Sequence, residues 1–419
     1  MTEAMTETLN DTLNGTLPAA AAPDRRPRLP GWRERLLLAR LSGLSAGRLT
    51  LRLPSGRLHR VVGSAPGPTA HIDIHHPRLV TRLALAGDMG LAEGYMAGEW
   101  DSPDIKALLL LGAANAESLS GLDRGSWPAE LFNRFAHRRR ANTRAGSRRN
   151  IAQHYDLGNA FYACWLDPGM TYSSALFDGM DDSMAAAQHR KYRRLAEKLD
   201  LRPGERVLEI GCGWGGFAEI AARDFGCEVT AVTLSLEQAA YTRARMAALG
   251  LQRKVDVRVI DYRDLEGTFD KIASIEMFEA VGQEYWGDYF RVLKSRLKPG
   301  GRAALQIITI ADAQFDAYRR NPEFIQRYIF PGGMLPSPGA FADAVAAAGM
   351  SIDDAFYFGP SYGETLRRWH DAFEDNWPRI APMGFDERFR RMWRYYLKYC
   401  EAGFDLGRID VGQFVIRAE

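Results

Sequence analysis

Cysteine is scarce in this chain: Cys164, Cys212, Cys227 and Cys400 are the four among 419 residues, and no two form a C-x-x-C pair. Such sparse, scattered usage argues against a disulfide framework or a zinc site and for a reducing, cytoplasmic setting. A dominant charge is lacking too. Lys+Arg 54 nearly balances Asp+Glu 52, for a formal net charge of +2, which gives no global case for nucleic acid as a partner. No apolar run approaches the ~18 residues that a membrane span needs. Residues 1–29 carry acids where a secretory leader would be positive and lack the apolar h-region of a leader. They read as a disordered tail, not a signal peptide.

What is present suffices for two domains. Residues 30–125 read as a small α+β domain. Apolar residues recur at helical spacing over 32–44, and LTLRL and LHRVVG then alternate as strands around the turn PSGR. Residues 126–150 read as a basic linker, in which 134–149 hold seven arginines, Arg138, Arg139 and Arg140 among them, and no acid. This is either a solvated linker or a strip that meets anionic lipid headgroups, each cation near the surface contributing on the order of 1 kcal/mol. From 151 to 419 strand and helix alternate, with strands expected at 206–210, 228–234, 255–260, 269–277 and 301–309. That alternation predicts a doubly wound, Rossmann-like parallel sheet with ligands at the carboxyl ends of its strands.

The richest stretch is VLEIGCGWGG (207–216), an apolar run, three glycines (Gly211, Gly213, Gly215) and then a helix-forming segment. Without Cβ atoms such a turn can be sharp and lie against a ligand, either a dinucleotide pyrophosphate or S-adenosylmethionine. Glu209 decides for the methyl donor: a carboxylate there repels a pyrophosphate but receives the ammonium of a methionine. At the tip of the second strand, Thr233 and Gln238 are candidates for the ribose. The equal alternative is that Thr233 ends a strand and Ser235 caps a helix. Asp261 and Tyr262 stand beside the expected adenine pocket, whereas Arg263 and Asp264 also fit a surface turn.

Seven segments together resemble the cyclopropane-fatty-acyl-phospholipid synthase family: YDLGNAFYACWLDPGMTYSSALF (155–177), VLEIGCGWGG, AVTLSLEQ, DYRDL, MFEAVG (277–282), YIFPGGMLPS (328–337) and YYLKYCEAGF (395–404). The likeness runs in order over residues 30–419. It implies a class I methyltransferase fold behind a smaller N-terminal α+β domain associated with lipid. It further implies methyl transfer from S-adenosylmethionine to the double bond of an unsaturated acyl chain in membrane phospholipid. Tyr172 and Ser173 would close over the donor, Thr233, Leu234, Ser235 and Gln238 would cradle it with the glycine loop, and Tyr262, Arg263 and Ile275 would surround the adenine. Glu279 and Cys400 fall on catalytic positions, and Tyr172 joins them. Partners expected are acyl chains and, from the arginine strip, an anionic inner-membrane surface to which a cytoplasmic enzyme binds peripherally, with a homodimer as one option.

Ring-forming members use a bound bicarbonate as base. The positions that would cage it read here as Ser174, Gln306 and His370, and the residue after Glu279 is Ala280; Glu279 and Ile308 remain. Three exchanged cage groups put bicarbonate and ring closure in question and favour a methyl- or methylene-branched product. An imidazole accepts protons near neutral pH, so His370 is the candidate base beside Glu279; the alternative is a histidine packed next to Trp369. Aromatic residues such as Tyr162, Trp165, Phe330 and Tyr362 suit a carbocation, although aromatics on helices are more often core. Ring formation by a synthase is the alternative activity, a small-molecule methyltransferase a further one, and a donor- or lipid-binding protein with decayed catalysis a minor one.

Overall fold

The computed structural model describes residues 31–119, 157–179, 182–321 and 323–418. The expected tail, the linker 126–150 and its arginine strip lie outside the described residues.

The chain enters through helix α1 (Gly31–Leu41), strands β1 (Ala46–Arg52), β2 (Leu58–Val62) and β3 (Ala65–Ile74), helix α2 (Arg78–Met96), the short β4 (Trp100–Asp101) and helix α3 (Ile105–Ala114). β1 and β2 form the expected antiparallel hairpin, and β3 pairs parallel to β1, in the order β2-β1-β3-β4. Alternation along the strands turns Leu49, Leu51, Ile72 and Ile74 inward, against Leu37 and Leu41 of α1. Asn115 fastens the end of α3 to this sheet. Its Oδ1 accepts from the N–H groups of Ser45 and Ala46 at 2.7 and 2.9 Å.

A second sheet holds β5 (Arg206–Ile210), β6 (Glu228–Thr233), β7 (Val255–Val259), β8 (Phe269–Ile275), β9 (Leu297–Ile310), β10 (Met350–Tyr357) and β11 (Ile409–Ala418), in the order β10-β11-β9-β8-β5-β6-β7. The five expected strands pair in parallel. β10 and β11 add to the expected parallel sheet two strands that the sequence did not announce: β11 runs antiparallel between β9 and β10. Neither shows a clear local signal. Half of the residues of β10 are exposed and β11 contains Gly412 and Gln413, so pairing and not pattern makes them strands. The longer helices around this sheet are α4 (Met184–Lys198), α5 (Gly216–Arg223), α6 (Leu236–Ala248), α7 (Trp286–Arg296), α8 (Pro338–Ala347), α9 (Gly359–Asp375) and α10 (Glu387–Asp405).

The two sheets meet through α10, which packs on α2 and α3. Arg391 of α10 donates to Trp100 O at 2.6 Å and stands 4.0 Å from the centroid of the Tyr95 ring. Lys106 of α3 reaches Glu401 at 2.7 Å. One apolar cluster consequently runs from Leu49 and Ile72 through Tyr95 to Trp165, Trp369 and Trp393. Among the described residues no helix is long and apolar enough to cross a membrane.

Candidate functional site

A cavity of about 570 Å³ lies at the carboxyl ends of β5, β6 and β8 and continues between the two sheets. One end is lined by Glu209, Gly211, Gly213, Thr233, Leu234, Gln238, Tyr262, Arg263 and Ile275. The middle is lined by Tyr172, Ser173, Glu276, Glu279, Tyr362 and Cys400, and the far end by Leu37, Leu49, Ile72, Leu79, Leu108 and Leu111.

The glycine loop is shaped as its sequence demands. Gly211 has φ 84°, and a Cβ there would lie 2.8 Å from Met277 Cγ. Gly213, at φ 50°, faces open space: a Cβ would meet nothing within 4 Å. Gly215, at φ 84°, starts α5 in the left-handed conformation. Glu209 is buried beneath this loop, its Oε2 has no hydrogen-bond partner, and burial pushes its carboxyl up to about 8. A buried carboxylate with a bare oxygen is costly unless a cation completes it. Together, the bare carboxylate and the open cradle fit the ammonium and carbon skeleton of S-adenosylmethionine.

Around that end, Thr233 Oγ1 donates to Gln238 Oε1 at 2.8 Å, which orients the pair at the tip of β6. Ser235 does not line the cavity. Its Oγ accepts from Gln238 N at 3.2 Å as the N-cap of α6, the structural alternative that the sequence offered for this position. Arg263 is held by Asp261, with Nη2 donating to Oδ2 at 2.6 Å, so the guanidinium is committed to its neighbour. Tyr172 packs on Trp369 and Trp165, with ring centroids at 5.3 and 5.5 Å, and its hydroxyl pairs with Tyr396 at 2.9 Å.

The middle of the cavity holds an acid that sequence reasoning did not single out. Glu276 follows β8 with φ 50°, a conformation that a non-glycine side chain adopts only when its surroundings impose it. Its Oε1 accepts from Ser174 N at 2.9 Å and Gln306 Nε2 at 2.8 Å, and its Oε2 accepts from Tyr362 Oη at 2.7 Å. Burial raises its pKa, with Lys191 pulling the other way. Positions 174 and 306, two of the exchanged cage groups, are therefore gathered around a carboxylate supplied by the chain. A signal was present: Glu276 and Glu279 sit three apart at the carboxyl end of a parallel strand, where such sheets place ligands.

Glu279 occupies a short 3₁₀ turn. Its Oε1 accepts from Ile308 N at 2.6 Å and its Oε2 has no partner; burial and the nearby Glu276 push its carboxyl to about 8. Burial drives the Cys400 thiol up to about 12, so at neutral pH this group is a thiol and not a thiolate.

His370 is the expectation that the structure corrects. It does not line the cavity; its Nδ1 lies 3.1 Å from Asp371 Oδ1, and burial lowers its pKa. On α9 the inward stripe is Tyr362, Leu366 and Trp369 at helical spacing, so the residue after Trp369 is turned about 100° away. The helix presents Tyr362, not His370, to Glu276.

The chain matches the family model of mycolic acid cyclopropane synthetase over residues 142–414. It is 39% identical over 398 residues to a tuberculostearic acid methyltransferase of Mycobacterium tuberculosis, covering 91% of this chain and 93% of that one. It is 36% identical over 357 residues to the cyclopropane-fatty-acyl-phospholipid synthase of Escherichia coli K12, covering 84% and 88%. A crystal structure of a mycolic acid cyclopropane synthase complexed with SAH and CTAB aligns at 31% identity with a TM-score of 0.61, over 64% of this chain and 97% of that one. Sheet order, glycine loop and these relatives make the protein a class I S-adenosylmethionine-dependent methyltransferase. Within that class, the chain belongs to the mycolic acid cyclopropane synthetase family.

Proposed function

We propose that this methyltransferase adds a methyl group to the double bond of an unsaturated acyl chain in membrane phospholipid and yields a branched chain, with Glu276 as the proton acceptor. The observation that carries this reading is the continuous cavity, which begins at the donor loop, passes Glu276 and ends among leucines and isoleucines. A small polar substrate would leave that apolar end empty, whereas an acyl chain fills it. The relatedness to a tuberculostearic acid methyltransferase supports the same substrate class.

When bound, the donor supplies an electrophilic methyl. The chain's own residues do the rest. The leucine- and isoleucine-lined wall excludes water and holds the double bond in line with the donor loop. Methyl addition leaves positive charge on the acyl chain, to which Tyr172, Phe330 and Tyr396 offer ring faces. Cys400, as a neutral thiol, adds no competing nucleophile. Glu276 takes the proton lost by the methylated chain, while Ser174 N–H, Gln306 and Tyr362 hold its carboxylate in place. The electrons of the broken C–H bond form a new double bond, giving a methylene-type branch; a saturated methyl branch needs a later hydride donor. The cage that bicarbonate would use in a ring-forming enzyme is engaged by Glu276, which favours the branch over the ring.

Expressing the chain in a host fed methyl-labelled methionine and analysing its lipids by mass spectrometry tests this. Label in branched acyl chains is the expected result. A cyclopropane product would overturn the branch, and label confined to small polar molecules would overturn the lipid substrate.

The reading places the enzyme at a lipid surface, and α1 supports this. Leu37 and Leu41 line the cavity, while Trp32, Arg35, Leu36 and Arg40 form an outward stripe at spacings of three and four, with Trp32 63% exposed. An aromatic and a leucine flanked by arginines suit the boundary of an anionic bilayer. Trp32→Ala with Leu36→Ala should weaken sedimentation with anionic vesicles at least fivefold, and Arg35→Glu with Arg40→Glu should make the residual binding insensitive to salt. Unchanged vesicle binding in both pairs would remove α1 from the surface.

A further inference from the structure

Lys191 on α4 is completely buried. Its Nζ donates to Ser173 Oγ at 2.6 Å and stands 4.1 Å from the centroid of the Tyr192 ring. Among the described residues no carboxylate comes within ion-pair distance of it. Three acids act on it from further off, Glu276 after β8, Asp167 in the loop before Tyr172, and Glu209 at the end of β5. Burial outweighs their attraction and brings the ammonium down to about 7. Asp167 is already bonded to the N–H groups of Gly169 and Thr171, and Glu209 keeps a bare oxygen. An interior amine without a contacting counterion is a liability for folding, because a methionine would fill similar space with no charge to desolvate.

What Lys191 touches explains its place. Ser173, which receives its hydrogen bond, lines the cavity beside Tyr172. Its backbone is tied to Glu276 as well: Gln413 Nε2 donates to Lys191 O and to Gln306 Oε1, both at 3.1 Å, and Gln306 Nε2 donates to Glu276. One connected network thus joins the lysine to the donor end of the cavity and to the proposed proton acceptor.

We propose that Lys191 is a positioning residue of the active site: it aims the Ser173 hydroxyl at the donor and supplies the interior positive charge that keeps Glu276 ionised and ready to accept a proton. This rests on the reading of Glu276 as the base. The other groups facing Glu276 are Glu279, whose charge opposes ionisation, and the hydroxyl of Tyr362, which cannot replace a cation. Lys191 is therefore the group among these that favours the carboxylate by its charge.

The test uses the purified full-length enzyme with Lys191→Met and Lys191→Gln, the second retaining a donor for Ser173 but no charge. Turnover is followed as a function of pH, donor affinity by calorimetry, and Tm in the absence of lipid. Both variants should move the acid limb of the pH–rate profile upward by at least one unit and lower kcat at pH 7 at least tenfold. Lys191→Met should in addition weaken donor binding through loss of the Ser173 contact, with Tm equal to or above that of the parent. A lysine that serves only packing would lower Tm and leave the acid limb in place. If either variant folds and keeps the parent's acid limb, the proposal is overturned. Glu276→Gln separates the two readings: an active Glu276→Gln enzyme removes the base itself, whereas an inactive one with unshifted Lys191 variants removes only the role of the lysine.

Discussion

Glu276→Gln is expected to lower kcat by about 10²- to 10⁴-fold, the range that a positioned general base contributes, while the affinity for S-adenosylmethionine stays within about threefold of the parent. The amide keeps the size of the side chain and can still accept from Ser174 N, but it cannot take up a proton. Rapid-mixing or steady-state assays on acyl-lipid vesicles, with donor binding measured separately, check both halves. The direction with pH follows from the same site. Burial raises the Glu276 carboxyl above its ordinary value, so the ionised, proton-accepting form is lost as pH falls, and lost earlier than for an exposed glutamate. In the same assay His370→Phe should retain near-parental turnover, because that ring lies outside the cavity and pairs with Asp371. Full activity of Glu276→Gln, or loss of turnover in a folded His370→Phe enzyme with normal donor binding, would return the proton to another group.

Gly213→Val is expected to weaken donor binding at least a hundredfold, equivalent to about 2.7 kcal/mol. The open space around the position that a Cβ would take is the space the donor needs. A β-branched residue at φ 50° also strains the loop, by roughly 1–2 kcal/mol, which a domain with so large a buried core tolerates. Isothermal calorimetry and a melting curve separate the effects: affinity should collapse while Tm falls by only a few degrees. Unchanged affinity would remove the loop from the donor site. Affinity in the parent should rise with pH toward about 8, because a cationic ammonium binds the ionised form of Glu209, whose carboxyl burial holds near that value. Below that pH a proton must leave Glu209 on binding, and calorimetry in buffers of different ionisation enthalpy would detect it.

The sequence by itself determined the features that are local. A strand, three glycines and a helix within ten residues can hardly fold otherwise, because only glycine relaxes at the positive φ values of that turn. The five parallel strands were legible from their apolar runs, and Glu209 from its place beside the loop. The hairpin of the first sheet followed from its alternation. Ordered motifs sufficed to indicate the family, and with it the donor.

Tertiary structure alone decided the rest. β10 and β11 become strands through their neighbours, since one is half exposed and the other carries glycine and glutamine. Glu276 carries one local signal, its place at the end of a strand three residues before Glu279; its surroundings depend on Ser174, Gln306 and Tyr362, which arrive from up to about a hundred residues away. The inward face of α9 is set by packing against Trp165 and Tyr172, and this selects Tyr362 over His370. The apolar end of the cavity belongs to the first sheet and its helices, which α10 packs against the second sheet. Lys191 is the extreme case, an ordinary lysine on an amphipathic helix until burial strips its water and leaves the active-site network as its surroundings. Long-range contacts carry no periodicity in the chain, which is why the donor could be read from residues and the surroundings of Glu276 could not.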